Sequence, residues 1–385
     1  MKISRRSVLT KGAGTFALIS GMGTPEAQEL MKKGSSGALR VGIVGCGPYS
    51  HCVSYGNVIL GLGGRRSFQT HMRITHVWGD DYSKNYAGEI WTSGRAQKAL
   101  EARSADHIAR NSDARNVSNP REMIGGVDGV MIMDFDRSAE LAEPFLKERI
   151  PVFVNRPYAP TMSDGRRILK TAAETGTAVF TGSLVPWVFE TQKTKAAVDR
   201  DNLFFFHADG LTASFSRYIS HALEYIYAIV GPGIRCVRLS GWGGSNGYDP
   251  SVLPPILIEL EYKLGGRAAE YPLRGTLLMR ENCSHDWWFR GYHRGGEIVE
   301  GSIPGHSDVS TDVGDSHWRI PFLSLMDTVF RTNESPESHE DILRKLSTLL
   351  AAHKSAMEGG RWVGIDEIED HRLPSVITAQ WKEKI

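Results

Sequence analysis

Cysteine is scarce in this chain, and its spacing carries no pattern. Cys46, Cys52, Cys236 and Cys283 are the four in 385 residues, and no two stand at C-x-x-C spacing. A zinc ribbon and a disulfide-dense scaffold are therefore excluded, and the apolar core must hold the fold unaided. An excess of charge of one sign is also lacking: 45 Lys+Arg face 44 Asp+Glu, a formal net charge of +1. No broad electrostatic field advertises a nucleic-acid partner, so a small molecule is the expected one. Long hydrophobic runs are missing as well. The best candidate, residues 12–23, is too short to span a bilayer, and no stable membrane insertion is expected. Internal repeats are not evident. What is present, 41% hydrophobic and 23% charged residues, excludes disorder, and the length suffices for two packed domains.

The chain opens with Ser4-Arg5-Arg6-Ser7-Val8-Leu9 ahead of small and modestly apolar residues. This run resembles a twin-arginine export signal, with Val8 where Phe is commoner. Glycines at 12, 14, 21 and 23 would spoil a folded amphipathic helix. Residues 1–27 are read as the signal and 28–37 as a polar linker. Periplasmic or extracellular delivery of an already folded protein is the expectation.

Residues 39–44 form an apolar run that ends in Gly45-Cys46-Gly47-Pro48-Tyr49-Ser50, and residues 52–60 can follow as a helix. Strand, glycine turn and helix in this order suit a dinucleotide. Gly45 permits the tight turn, Gly47 lets the backbone approach a pyrophosphate, and the helix N-terminus offers amide donors. Ser50 stands in the third, small-residue position. A second strand, residues 73–78, ends in Gly79-Asp80. Asp80 lies beyond the usual interval of about 20 residues, which the inserted segment 61–67 accounts for. Its carboxylate would bond the adenosine ribose and repel a 2′-phosphate, favouring NAD over NADP. Further strands at 129–133 and 151–155 alternate with helices at 96–109 and 139–147, the pattern of a parallel sheet covered on both faces.

At Asn155-Arg156-Pro157 the chain resembles the Gfo/Idh/MocA oxidoreductases, named after glucose-fructose oxidoreductase and inositol dehydrogenase. The family's glycine turn matches 45–50, its acidic strand end Asp80, its Glu-Lys-Pro motif 155–157, and its Asp-x-Gly-x-His-x-x-Asp motif 217–224. Residues 343–365 are similar to the family's close, so the resemblance covers about 39–370. It implies an α/β fold: an N-terminal Rossmann domain over 38–158, then a C-terminal α/β domain over 159–385. The second domain's open, mainly antiparallel sheet would floor a substrate cleft and join copies into a homo-oligomer. Strand-like runs at 204–211, 234–241, 255–264, 268–273 and 276–280, with a helix at 220–230, agree with it.

The resemblance implies cofactor contacts from Gly45, Gly47, Pro48, Tyr49, Ser50, Asp80, Asp134, Asn155, Arg156 and Pro157. Two departures bear on chemistry. Arg156 replaces the motif lysine; it stays protonated, so it can clamp an oxygen but shuttles protons poorly. Arg217 and Glu224 replace the two acids of the second motif, while His221 is kept. His221 is the expected general acid/base, with Glu224 three residues on to orient its ring. Tyr218 is the second candidate for the proton. Arg217, Glu224 and Trp187 are read as substrate-facing, with Trp187 as a wall of the cleft or an interior packing residue. The clusters 282–294 and 305–317 lack a recognisable His-x-x-x-His or Cys/His pair, so no metal is expected, and their aromatics are read as lining a carbohydrate cleft or an interface.

The expected activity is NAD-dependent oxidation of a sugar or polyol, with the cofactor tightly retained and recycled internally because free NAD is scarce outside the cytoplasm. A redox-neutral glycoside-cleaving cycle, and a carbohydrate-binding or scaffold protein without turnover, are the alternatives.

Overall fold

A computed structural model describes residues 37–46, 55–56, 59, 71–79, 105–211, 219–241, 255–263, 272–280, 285–304 and 315–374. The signal, Gly47, Pro48, Tyr49, Ser50, Asp80, Arg217 and Tyr218 lie outside the described residues.

The first sheet is parallel. Its strands are β1 (Leu39–Val44), β2 (Met72–Trp78), β3 (Arg115–Asn116), β4 (Gly129–Ile132), β5 (Val152–Asn155) and β6 (Val179–Gly182), in the spatial order β3-β2-β1-β4-β5-β6. Every residue of β4, β5 and β6 is buried, as a sheet covered on both faces requires. Alternate side chains go to opposite faces. Val152 and Val154 meet helices α2 (Ser138–Lys147) and α3 (Met162–Thr175), while Phe153 faces α6 (Asp315–Thr332). The shorter helix α1 (Ala105–Ser112) leads into β3. Thr161 caps α3 by accepting the Asp164 amide at 3.0 Å, and Gly176 ends it in the left-handed region.

The remaining strands are β7 (Leu203–Leu211), β8 (Ile234–Ser240), β9 (Ile256–Tyr262), β10 (Arg274–Arg280), β11 (His285–His293), β12 (Ile298–Pro304) and β13 (Val363–Gly364). They form a mixed sheet ordered β12-β11-β7-β10-β9-β8-β13, in which β7/β10 is the parallel pairing and the others are antiparallel. Its inner face packs on α5 (Ser220–Val230) and α7 (His339–Met357), and α4 (Phe189–Ala197) lies against β12.

One expectation needs correction. A domain boundary at 158 cuts the first sheet, because β6 continues it to Gly182 and α6 returns from the C-terminal half to cover it. The returning helix brings Phe322 against Phe153 and Phe180, with ring centroids 5.3 and 5.1 Å apart. The cluster 282–294, whose aromatics are expected to line a carbohydrate cleft or an interface, forms strand β11 in its described residues from His285 on. Its period-two alternation buries Trp287 and Phe289 and leaves Trp288, Arg290 and Tyr292 on the open face. The strand expected at 276–280 lies within β10, which starts at Arg274, and residues 268–271 of the one expected at 268–273 lie outside the described residues.

Candidate active site

In a parallel sheet all strand ends of one kind share one edge. The order reverses between β1 and β4, and a crevice opens there outside the carboxyl ends. Gly45 follows β1, Gly79 follows β2, Asp134 lies just beyond β4, Arg156 follows β5 and Ser183 follows β6. Candidate residues far apart in sequence are thus set along one rim.

Gly45 has φ +88°, and a Cβ there would stand 2.6 Å from the Asp134 amide nitrogen. The turn therefore needs glycine to lie against the β4 end, whatever it binds. Gly45 and Cys46 both donate to the Trp78 carbonyl, at 2.9 and 3.0 Å, which fixes the start of the turn across β1 and β2. These features fit a dinucleotide cradle. The buried Asp134 carboxylate accepts from the Arg137 guanidinium at 2.6 Å and from the Arg137 amide at 3.2 Å. The guanidinium thereby lies over the Trp78 ring, 5.3 Å from its centroid. Arg137 escaped the sequence reading because only the tertiary fold brings the ends of β2 and β4 together.

The other half of the rim is a buried polar cluster. Asn155, Arg156, Ser183, His221 and Glu224 are all buried. The Arg156–Pro157 peptide is cis. The Arg156 guanidinium contacts His221 Nε2, and Ser183 Oγ contacts His221 Nδ1. Trp287 closes one side, its ring 6.0 Å from the imidazole. Glu224, expected to orient the ring, does not contact it among the described hydrogen bonds. Its Oε2 instead accepts the Ser183 amide at 2.5 Å, so its influence on His221 runs through Ser183. Ser183 carried no sequence signal, since a lone serine after an apolar run is unremarkable until β6 is paired with β5.

Burial pushes the Glu224 carboxyl above the ordinary range, against the opposing pull of Lys345, the Ser183 amide and Arg156. Burial also works against charge on Lys345. Glu337 and Glu224 outweigh it and hold the ammonium above the usual lysine range. Lys345 Nζ meets both Glu337 oxygens, at 2.6 and 2.7 Å. The buried Arg156 and the largely buried Lys345 thus sit with two carboxyl groups, as charges taken from water must. Trp187 is half-buried and meets Phe180 edge-on at 6.1 Å, so it packs under the rim. Among the described residues no group of three or more potential ligands could hold a metal, and no helix is long and apolar enough to cross a membrane.

Chemically, the rim offers a cation that cannot lose its proton beside an imidazole that can. The fold is a Rossmann-type parallel sheet joined to a mixed, mostly antiparallel sheet. No protein-family model and no curated protein matches the chain. Solved structures do. It is similar to myo-inositol dehydrogenase from Lactobacillus casei in complex with NAD(H) and myo-inositol, at TM-score 0.63 and 13% identity over 85% of this chain and 96% of that one. The apo scyllo-inositol dehydrogenase of the same organism gives 0.62 and 12%, over 86% and 99%. An oxidoreductase from Agrobacterium radiobacter in complex with NAD+, L-tartaric acid and magnesium gives 0.60 and 14%, also over 86% and 99%.

Proposed function

We propose that the protein is an NAD-dependent oxidoreductase that oxidises an alcohol carbon of a sugar or polyol. The observation that carries the proposal is the buried Arg156–His221 contact on the carboxyl rim, along the same edge as the Gly45 turn. The structural neighbours crystallised with NAD and polyhydroxylated ligands support it. Residues 45–50, Asp80, Asn155 and Arg137 would hold the dinucleotide, and bound there it supplies the hydride acceptor. His221 Nε2 takes the hydroxyl proton. Arg156 holds the same oxygen and stabilises its developing negative charge.

Arg5-Arg6 supports export by the twin-arginine route, and export in turn favours a cofactor that stays bound and is recycled within the site. The open face of the mixed sheet, carrying Phe205, Trp288, Arg290 and Tyr292, would join copies into a homo-oligomer. A second reading, carbohydrate binding without turnover, is favoured by one feature: Arg156 stands where a proton-transferring lysine would otherwise serve.

One experiment tests cofactor and activity together. Purified protein is denatured, the released nucleotide is identified by absorbance and mass, and the intact protein is assayed for reduction of NAD with a panel of polyols. NAD(H) with turnover is expected. NAD(H) without turnover selects the binding reading, and no nucleotide, even after incubation with excess NAD, rejects both the cradle and the proposal.

A further inference from the structure

Arginine only donates hydrogen bonds. Its contact with His221 Nε2 therefore requires a lone pair on that nitrogen, and a neutral imidazole then carries its proton on Nδ1. Nδ1 faces Ser183 Oγ. The hydroxyl oxygen consequently accepts from Nδ1–H and also from the Val185 amide, at 3.0 Å. A doubly protonated ring would set a cation against the guanidinium, which the contact disfavours. The tautomer thus follows from the donor inventory of the two partners.

The chain builds Ser183 into this place with some care. Gly182 before it has φ +117°, in the left-handed half of the map. From that turn Ser183 directs its amide to Glu224 and its hydroxyl to His221, two side chains three residues apart on α5. One serine therefore reads two positions one turn apart on the helix, with its backbone held by Glu224 and its side chain holding the imidazole.

We infer that Ser183 is a positioning residue, which fixes His221 as the Nδ1–H tautomer and so keeps a lone pair on Nε2, held by Arg156 until the substrate hydroxyl takes that place and the guanidinium turns to the substrate oxygen. The inference rests on the dehydrogenase reading for its catalytic consequence but not for its structural content. In that consequence the substrate O–H bond breaks, its proton goes to Nε2, and the alcohol C–H hydride goes to the nicotinamide. The resulting imidazolium keeps its Nδ1–H on Ser183, so no proton need leave through the back of the site during the step.

The test uses the full-length protein without added substrate. Histidine labelled with nitrogen-15 is incorporated, and the His221 signals are identified by their loss in His221→Gln. The wild type should show a protected Nδ1–H proton and an unprotonated Nε2. Ser183→Ala should lose that protected proton, and Ser183→Thr, which keeps the hydroxyl, should retain it. With substrate and NAD, Ser183→Ala should lower kcat on the order of 10- to 100-fold, as expected for a misoriented general base, with KM little changed and recovery in Ser183→Thr. If Ser183→Thr fails to fold, the wild-type and Ser183→Ala spectra still decide the matter. A wild-type ring protonated on Nε2, or a Ser183→Ala protein that keeps both the protected Nδ1–H and full turnover, overturns the inference. The expected spectra in a protein that never reduces NAD would uphold the tautomer assignment and refute the dehydrogenase reading, so the two failures are distinct.

Discussion

Arg156 and His221 divide between them two functions that a lysine alone could perform. The guanidinium supplies a permanent charge in a planar fork, and the imidazole supplies the exchangeable proton. Removing the proton acceptor should therefore lower kcat about a hundredfold or more. His221→Ala is expected to do so while released nucleotide is unchanged. Arg156→Lys probes the fixed charge. Its ammonium can still donate to Nε2 but lacks the planar fork that fixes an oxygen beside the ring, and roughly tenfold slower turnover is expected. An increase in turnover would mean that the natural residue impairs catalysis and would favour the binding reading. Both residues were identified in the sequence. Their contact was not, because the 65-residue separation hides it.

Between residues and whole molecule, the elements that matter are β6 and α5, which Ser183, just past β6, ties together through Glu224 and His221. A Cβ on Gly182 would lie within contact of Glu224 Oε2, on a backbone that side chains rarely adopt. Gly182→Ala should cost about 1–3 kcal/mol, measured as a lower urea midpoint, and should displace Ser183 from His221. A midpoint equal to wild type would show that the turn relaxes freely. The helix α5 was readable in the sequence at 220–230. β6 was not: Val179–Gly182 is four residues long, too short for periodicity to separate from other buried segments. In strand β11 the sequence could not separate the two adjacent tryptophans, which pairing assigns to opposite faces.

Across the molecule, the end of the described chain is stitched to the segment that follows Arg156. Leu373 donates to the Pro160 carbonyl at 2.9 Å, Thr161 bridges Arg372, and His371 Nε2 meets His353 Nδ1 of α7 at 2.8 Å. Burial, with His371 adding to it, lowers the His353 pKa from 6.5 to about 4. The unfolded chain therefore binds the extra proton between those values, and stability rises with pH across that window. It is fully present above about pH 6.5 and is lost as pH falls towards 4, by up to about 3 kcal/mol. Urea midpoints should fall over this range, and His353→Gln should flatten the slope. An unchanged slope would remove His353 as its source.

Local patterning determined much of this protein. Glycine turn, apolar strands and amphipathic helices are set by residues within a few positions of one another, and their order specifies a parallel sheet whose strand ends share one edge. The candidate roles of Arg156 and His221 also follow from their own chemistry. Tertiary structure alone decided the partners: Ser183 for the imidazole, Glu224 for the Ser183 amide, Arg137 for Trp78, and α6 for the first sheet. Each of these depends on which strand ends become neighbours and which helix faces meet. A hydrogen bond is indifferent to sequence separation, whereas a sequence pattern is not, so the pairings that set His221 became visible only after β5, β6 and α5 had packed.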